Sequence, residues 1–261
     1  MNNVEIRKNL SKLHRIIGKL RMDDLTYTHA SARLEEGDEF LLSPFGMRFK
    51  YVKPNDLLRF KLTGELMPRE RASSVHDDLF LLFGKNIVSK VLMLPKENPQ
   101  AFNKTGFAIH SSIYKARKDV NCVIHLHTKE TIAVASSKKG LLPVSQHALH
   151  FYESISSHSY NSLILTPQEE EEQLIKDLGS NNVMLLQNHG FITVGKTIWE
   201  ALFYAYHLQK ACEVQVLIKE EDCIFPSHET CIKAKKDLLS FEDDLGRRDF
   251  DSFQKIHNLI W

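Results

Sequence analysis

Residues 120–127 constrain this chain more than any other stretch of it. Read as a strand, they put Val123, His125 and His127 on one face and Cys122, Ile124 and Leu126 on the other. A rise of ~3.3 Å per residue sets the two histidines about 7 Å apart at Cα, so both imidazoles can reach one ion. A third histidine, His189, lies in Gln187-Asn188-His189-Gly190, a tight connection between the apolar strands 183–186 and 191–194. Asn and Gly there can supply positive φ. Three neutral imidazoles leave one or two coordination positions for water or substrate, the pattern of a catalytic rather than a structural zinc site. Taken alone, His-x-His reads more readily as a pair of partly exposed strand histidines, so the surrounding sequence has to decide.

That surrounding reads as α/β. Val4, Leu10, Leu13, Ile17 and Leu20 recur at helical steps, and a second helix over 107–117 places Ile109, Ile113 and Ala116 on one side. Residues 40–43 and 57–62 read as strands, each closed by a turn. Thr128 is placed to cap a short helix after the histidine strand. Thr197 and Glu200 form a capping box ahead of a buried stripe of Ile198, Ala201, Ala205, Leu208, Cys212 and Val216. Residues 68–102 hold apolar runs of unclear period and stand apart as an insertion in one domain spanning 1–225; residues 226–261 read as a charged extension that docks on the body or on a neighbouring subunit. With 261 residues the chain can bury a full core. A net charge of +1, from 34 basic and 33 acidic residues, gives no field favouring nucleic acid or an anionic membrane. No run approaches the ~18 apolar residues of a membrane span. The N-terminal residues lack a signal-peptide pattern, and the four cysteines lack CxxC spacing, which implies reduced thiols in a cytoplasmic protein.

The context of the histidines resembles a known family. Asn103-Lys104-Thr105-Gly106-Phe107-Ala108-Ile109-His110 leads into Ala116-Arg117-Lys118-Asp119-Val120 and His125-Leu126-His127-Thr128, and then Gly140-Leu141-Leu142-Pro143, His158-Ser159-Tyr160 and Asn188-His189-Gly190-Phe191 follow. Together with Thr28-His29-Ala30-Ser31-Ala32-Arg33 and Ser43-Pro44-Phe45-Gly46, these resemble the class II aldolase/adducin family, on its adducin-like branch. The resemblance covers roughly residues 5–220. It implies a three-layer α/β/α fold with a central, mostly antiparallel sheet. It also implies one divalent ion, zinc by preference and Mn²⁺ or Co²⁺ as alternatives, held by His125, His127 and His189. A homotetramer with sites at subunit interfaces is implied as well.

One departure bears on the reaction. In the sugar-phosphate aldolases of the family an acid/base glutamate precedes the helix that leads into the His-x-His strand, and the aligned residue here is Gly106. Glycine cannot transfer protons, so aldol cleavage or epimerisation of a sugar phosphate is disfavoured. A metal-dependent carbon–carbon lyase of aldolase or decarboxylase type, acting on a small hydroxy/keto acid or carbonyl compound, is the favoured expectation. His29, Arg33, Thr105 and Gly106 are expected to line the substrate side, with Tyr160 as a catalytic donor from this or a neighbouring subunit. The rival expectation is a non-catalytic, adducin-like assembly module. His110 is read as a core residue, His147 and His150 as surface or interface residues, and residues 141–160 as an aromatic and histidine-rich interface segment.

Overall fold

The computed structural model describes residues 1–67, 103–161 and 169–256. The stretch 68–102, expected as an insertion, lies outside the described residues. Helix α1, Asn3–Lys19, starts on a capping box in which the Asn2 side chain accepts from the Glu5 amide and Glu5 accepts from the Asn2 amide. Its apolar face, Leu10, Leu13, Ile16 and Ile17, is fully buried.

Seven strands form one sheet: β1 (His29–Arg33), β2 (Glu39–Leu42), β3 (Leu58–Lys61), β4 (Cys122–Leu126), β5 (Ile155–His158), β6 (Val183–Leu186) and β7 (Gly190–Gly195). Their order across the sheet is β3-β2-β1-β4-β7-β6-β5. Every neighbouring pair is antiparallel except the edge pair β5 and β6. The sheet is covered on both faces, and the alternation of β4 sorts its residues between two cores. Cys122, Ile124 and Leu126 join α1 and the long helix α6 (Ile198–Gln215). Val123 joins helix α2 (Lys104–Ala116) and helix α5 (Glu169–Leu178), through Ile109, Ile113, Leu174 and Leu178. The architecture is therefore three-layer α/β/α, and His125 lies on the α2/α5 side.

Two short helices, α3 (Lys129–Ala135) and α4 (Gln146–Leu149), pack against α6. Thr128 does cap α3 by position, but its hydroxyl bonds to Thr131 and Gln209 rather than to the helix amides. Two further helices, α7 (His228–Leu239) and α8 (Arg247–Ile256), dock on the chain's own body. Phe250 is buried against Trp199 at 6.1 Å between rings, and Trp199 Nε1 donates to Asp244 at 2.5 Å. Within 141–160, His150, Phe151 and His158 are buried in the chain's own body, which corrects the expectation that the whole segment forms an interface. Among the described residues no helix is long and apolar enough to cross a membrane.

Candidate metal centre

Strand β4 is central in the sheet, with β1 on one side and β7 on the other. Its His125 faces the α2/α5 layer, and His127 follows directly after the strand ends at Leu126. The β6–β7 hairpin then delivers His189 to the same place. Asn188 holds the left-handed conformation of that turn, at φ 56°. Gly190 does not, contrary to the expectation that both residues would supply positive φ. Glycine is needed at 190 for room, because a Cβ there would sit 2.3 Å from the Leu126 carbonyl oxygen and 3.0 Å from His127 Cδ2. One potential ligand atom from each of His125, His127 and His189 lies within 4.8 Å of the others.

Two of the three rings, those of His125 and His127, are oriented from behind. The Nδ1 of His125 donates to the Phe191 carbonyl at 2.9 Å, which turns Nε2 toward the cluster. The Nδ1 of His127 lies 3.4 Å from an Asp24 carboxylate oxygen, and the two Nε2 atoms stand 2.8 Å apart. Backbone carbonyls and carboxylates behind imidazoles are the partners that orient metal-ligating histidines and fix their tautomers. Burial is the main force pushing all three away from protonation. His125 is held well below the ordinary imidazole range by desolvation and then by the neighbouring rings, and His189 is pushed down to about 4. His127 is lowered by burial, opposed by Asp24. The rings are therefore neutral at physiological pH, the state in which imidazole binds a metal. The donor set fits a first-row divalent ion of borderline softness.

The cluster forms the floor of a cleft of about 100 Å³ whose walls include Tyr27, Asn103, Thr105, His158, Tyr160 and Gln187. Tyr160 is half exposed, with its ring 6.2 Å from that of His189. Asn103 also caps α2, its side chain accepting from the Thr105 and Gly106 amides.

Residues 8–216 match the sequence model of the Class II Aldolase and Adducin N-terminal domain. The chain belongs to this family. It is 34% identical, over 82% of its length and 71% of the relative's, to an aldolase class 2 protein of Pseudomonas aeruginosa, so named by family rather than by substrate. It is 32% identical to alpha-adducin of Rattus norvegicus over 81% of this chain, a match that spans only 25% of that adducin. A solved aldolase II superfamily protein from Pseudomonas syringae superposes with a TM-score of 0.79 at 28% identity, covering 99% of this chain and 93% of that one. The L-fuculose 1-phosphate aldolase of Glaciozyma antarctica PI12 shares the fold, with a TM-score of 0.76 at 22% identity over 98% of this chain and 90% of its own.

Of the residues expected on the substrate side of this family site, Thr105 and Tyr160 line the cleft. Arg33 does not, and its assignment is corrected. Its guanidinium is buried and donates to the carbonyls of Val120, Gly37, Tyr114 and Arg117 at 2.7–3.0 Å, so it clamps the chain rather than a substrate carboxylate. His29 is likewise withdrawn. It is 3% exposed, and its Nδ1 bonds to His110 Nε2 at 2.7 Å. From there His110 Nδ1 bonds to the Ser31 hydroxyl, which bonds to the Tyr114 hydroxyl at 2.7 Å. Gly106 presents no surface to the cleft: a Cβ at that position would meet His29 Cδ2 at 2.9 Å. The imidazole of His29 thus fills the room a side chain at 106 would need. Asp24 and Asn103 were missed. Asn103 could have been found as an N-cap ahead of an apolar-periodic helix, whereas Asp24 approaches His127 from a loop that carries no local signal.

Proposed function

We propose that this chain is a divalent-metal-dependent carbon–carbon lyase, of aldolase or decarboxylase type, for a small hydroxy/keto acid or related carbonyl compound. The observation that supports it most is the convergence of His125, His127 and His189 at the floor of a cleft. Zinc is the expected ion, with Mn²⁺ or Co²⁺ able to serve. When bound, the ion supplies Lewis acidity that draws electron density toward a substrate oxygen. The three histidines would hold it, with the Phe191 carbonyl orienting the ring of His125 and Asp24 that of His127. Thr105 and Asn103 offer polar contacts to a bound molecule, and Tyr160 supplies a donor hydroxyl at the cleft wall. With glycine at 106, sugar-phosphate aldolase turnover is expected to be absent or very weak.

Metal-loaded protein tested against a panel of hydroxy and keto acids should turn over at least one of them, and activity should vanish on chelation. No turnover anywhere in the panel favours the second reading, an adducin-like assembly module, which the 32% identity to alpha-adducin supports. Self-association to a homotetramer is part of the proposal. An exposed apolar strip from the end of α6 onward, with Leu217 86% and Ile224 92% exposed, supports it. Light scattering at low micromolar concentration should give about four times the 30.1 kDa chain mass, and a value near one chain refutes it.

A further inference from the structure

Strand β5 ends in His158, whose backbone is locked to the hairpin that carries His189. It pairs in register with Leu186, and its carbonyl accepts from the Gln187 amide at 2.9 Å. The His158 ring lines the cleft, while its Nδ1 lies 2.6 Å from the Asp177 carboxylate on α5. Asp177 is itself held, because its other oxygen accepts from Gln173 one turn earlier at 2.6 Å. The side chains of the pair are 10% and 23% exposed. A carboxylate on one ring nitrogen fixes both tautomer and orientation: Nδ1 carries the hydrogen, and Nε2 keeps the lone pair. Nε2 of His158 has no hydrogen-bond partner among the described residues.

The rest of the cleft wall makes this nitrogen conspicuous. Among the described lining residues there is no Asp, Glu, Lys or Arg. Three of the four histidines there form the ligand cluster. The remaining titratable side chains of the described wall are the phenols of Tyr27 and Tyr160. Imidazole is the side-chain type suited to accepting and returning a proton near neutral pH. The glutamate that does this in the family's sugar-phosphate aldolases is replaced by Gly106, and the room beside it is filled by His29.

We infer that the His158–Asp177 pair is the proton-transfer group of the cleft, with His158 a catalytic residue and Asp177 its positioning residue. The inference rests on the lyase reading above and deepens it. In the lyase direction that forms a new C–H bond, the N–H of protonated His158 delivers its proton to the carbon that has just lost its carboxyl or aldehyde fragment. In reverse, a C–H bond next to a carbonyl breaks, its proton passes to Nε2, and its electron pair forms a C=C bond as the carbonyl π pair moves onto oxygen. The Asp177 carboxylate, bonded at Nδ1, offsets the positive charge that the ring acquires. The substrates this suits are small compounds with a hydroxyl or carboxylate beside a carbonyl.

The test is carbon-bound hydrogen exchange of hydroxyacetone in D₂O, followed by NMR with the full-length, zinc-loaded protein. Wild type should exchange well above an equal concentration of free zinc. His158→Gln should lower the rate by about 100-fold or more, the low end of what acid–base groups contribute, while keeping about one equivalent of metal. Asp177→Asn should lower it by about tenfold. Added imidazole should raise the rate of His158→Gly, which a purely structural role for the ring would not allow. Exchange in His158→Gln within threefold of wild type overturns the role of His158 and leaves the lyase reading standing. Absence of metal-dependent exchange in wild type overturns the lyase reading and the proton-transfer role together.

Discussion

Two groups of histidines lie side by side on one face of the sheet and have opposite chemistry. His29 and His125 are register partners across β1 and β4, and their rings stand 4.8 Å apart. On the β4 side, Nδ1 of each oriented ring is tied back and Nε2 is turned toward its neighbours at the floor of a cleft. On the β1 side, His29, His110, Ser31 and Tyr114 tie their polar atoms to one another in a buried chain. What separates a ligand from a core histidine here is neither burial nor proximity, since His125 and His29 share both. It is where the rings aim: Nδ1 of His29 turns to His110, whereas Nε2 of His125 turns to Nε2 of His127.

The largest expected effect breaks or keeps that distinction outright. Purified protein should carry about one equivalent of a first-row divalent ion, and His125→Ala/His127→Ala should carry none while remaining folded. Elemental analysis is the measurement, and equal metal in both proteins removes the site. His110→Ala should do the converse. It strands the Nδ1 of His29, while Ser31 keeps Tyr114, and a buried polar group left unsatisfied costs ~1–3 kcal/mol. Urea unfolding should therefore show a loss of about 2–4 kcal/mol with the metal content retained; metal loss as complete as in the double variant would merge the two groups into one. Gly106→Ala should be milder, about 1–3 kcal/mol, because its methyl group pushes on the edge of His29 rather than deleting a bond. Gly106→Glu should be at least as destabilising and should not confer fuculose-phosphate turnover, which a coupled assay would reveal.

The smallest effect per step is the response to acid. Burial pushes His14 down to about 4, and His110 well below the ordinary imidazole range. Nδ1 of His14 donates to the Leu10 carbonyl at 2.7 Å, and its Nε2 is buried with no partner among the described residues, so protonation would strand a charge in the apolar layer. As pH falls below about 6.5 the unfolded chain takes up protons at these sites and the folded chain does not. Their stabilising contribution is thus complete above that range and is lost on acidification, by about 1.4 kcal/mol per pH unit for each such group. For His14 the loss ends near its folded value of about 4. Chemical denaturation of metal-free protein between pH 7 and 4.5 should trace this slope, and His14→Leu should flatten it; a stability independent of pH over that range contradicts the buried, neutral state.

Most of the elements that carry the site were legible because they are periodic or capped. The β4 alternation, the turn at 187–190 and the Thr197 cap all have local physical causes; the Thr197 side chain accepts from the Glu200 amide at 3.1 Å, while the Glu200 carboxylate takes the Lys196 amide instead of that of Thr197, so the expected box is half formed. Strand β1 was not legible as structure. Its His-Ala-Ser-Ala-Arg is too polar to read as a central strand, yet all five residues are buried, since Arg33 and His29 find their partners on α2 and its flanking turn. Tertiary hydrogen bonding there overrides composition, and the same fact withdraws His29 and Arg33 from the substrate. Strand β5 was missed for the opposite reason: at four residues and with one edge paired, it is specified by β6 rather than by its own pattern. The Asp177 partner of His158 comes from a helix reached only through the folded topology.

The sheet order has a consequence for the life of the chain before it is complete. His125 and His127 leave the ribosome together, but His189 follows about 60 residues later, roughly 3–12 s at ~5–20 residues per second. During that interval His125 and His127 lack both the third histidine and the β7 strand that pairs with β4. The proposed ion site is therefore complete only once the β6–β7 hairpin closes onto β4, when a third nitrogen and a defined shape arrive together.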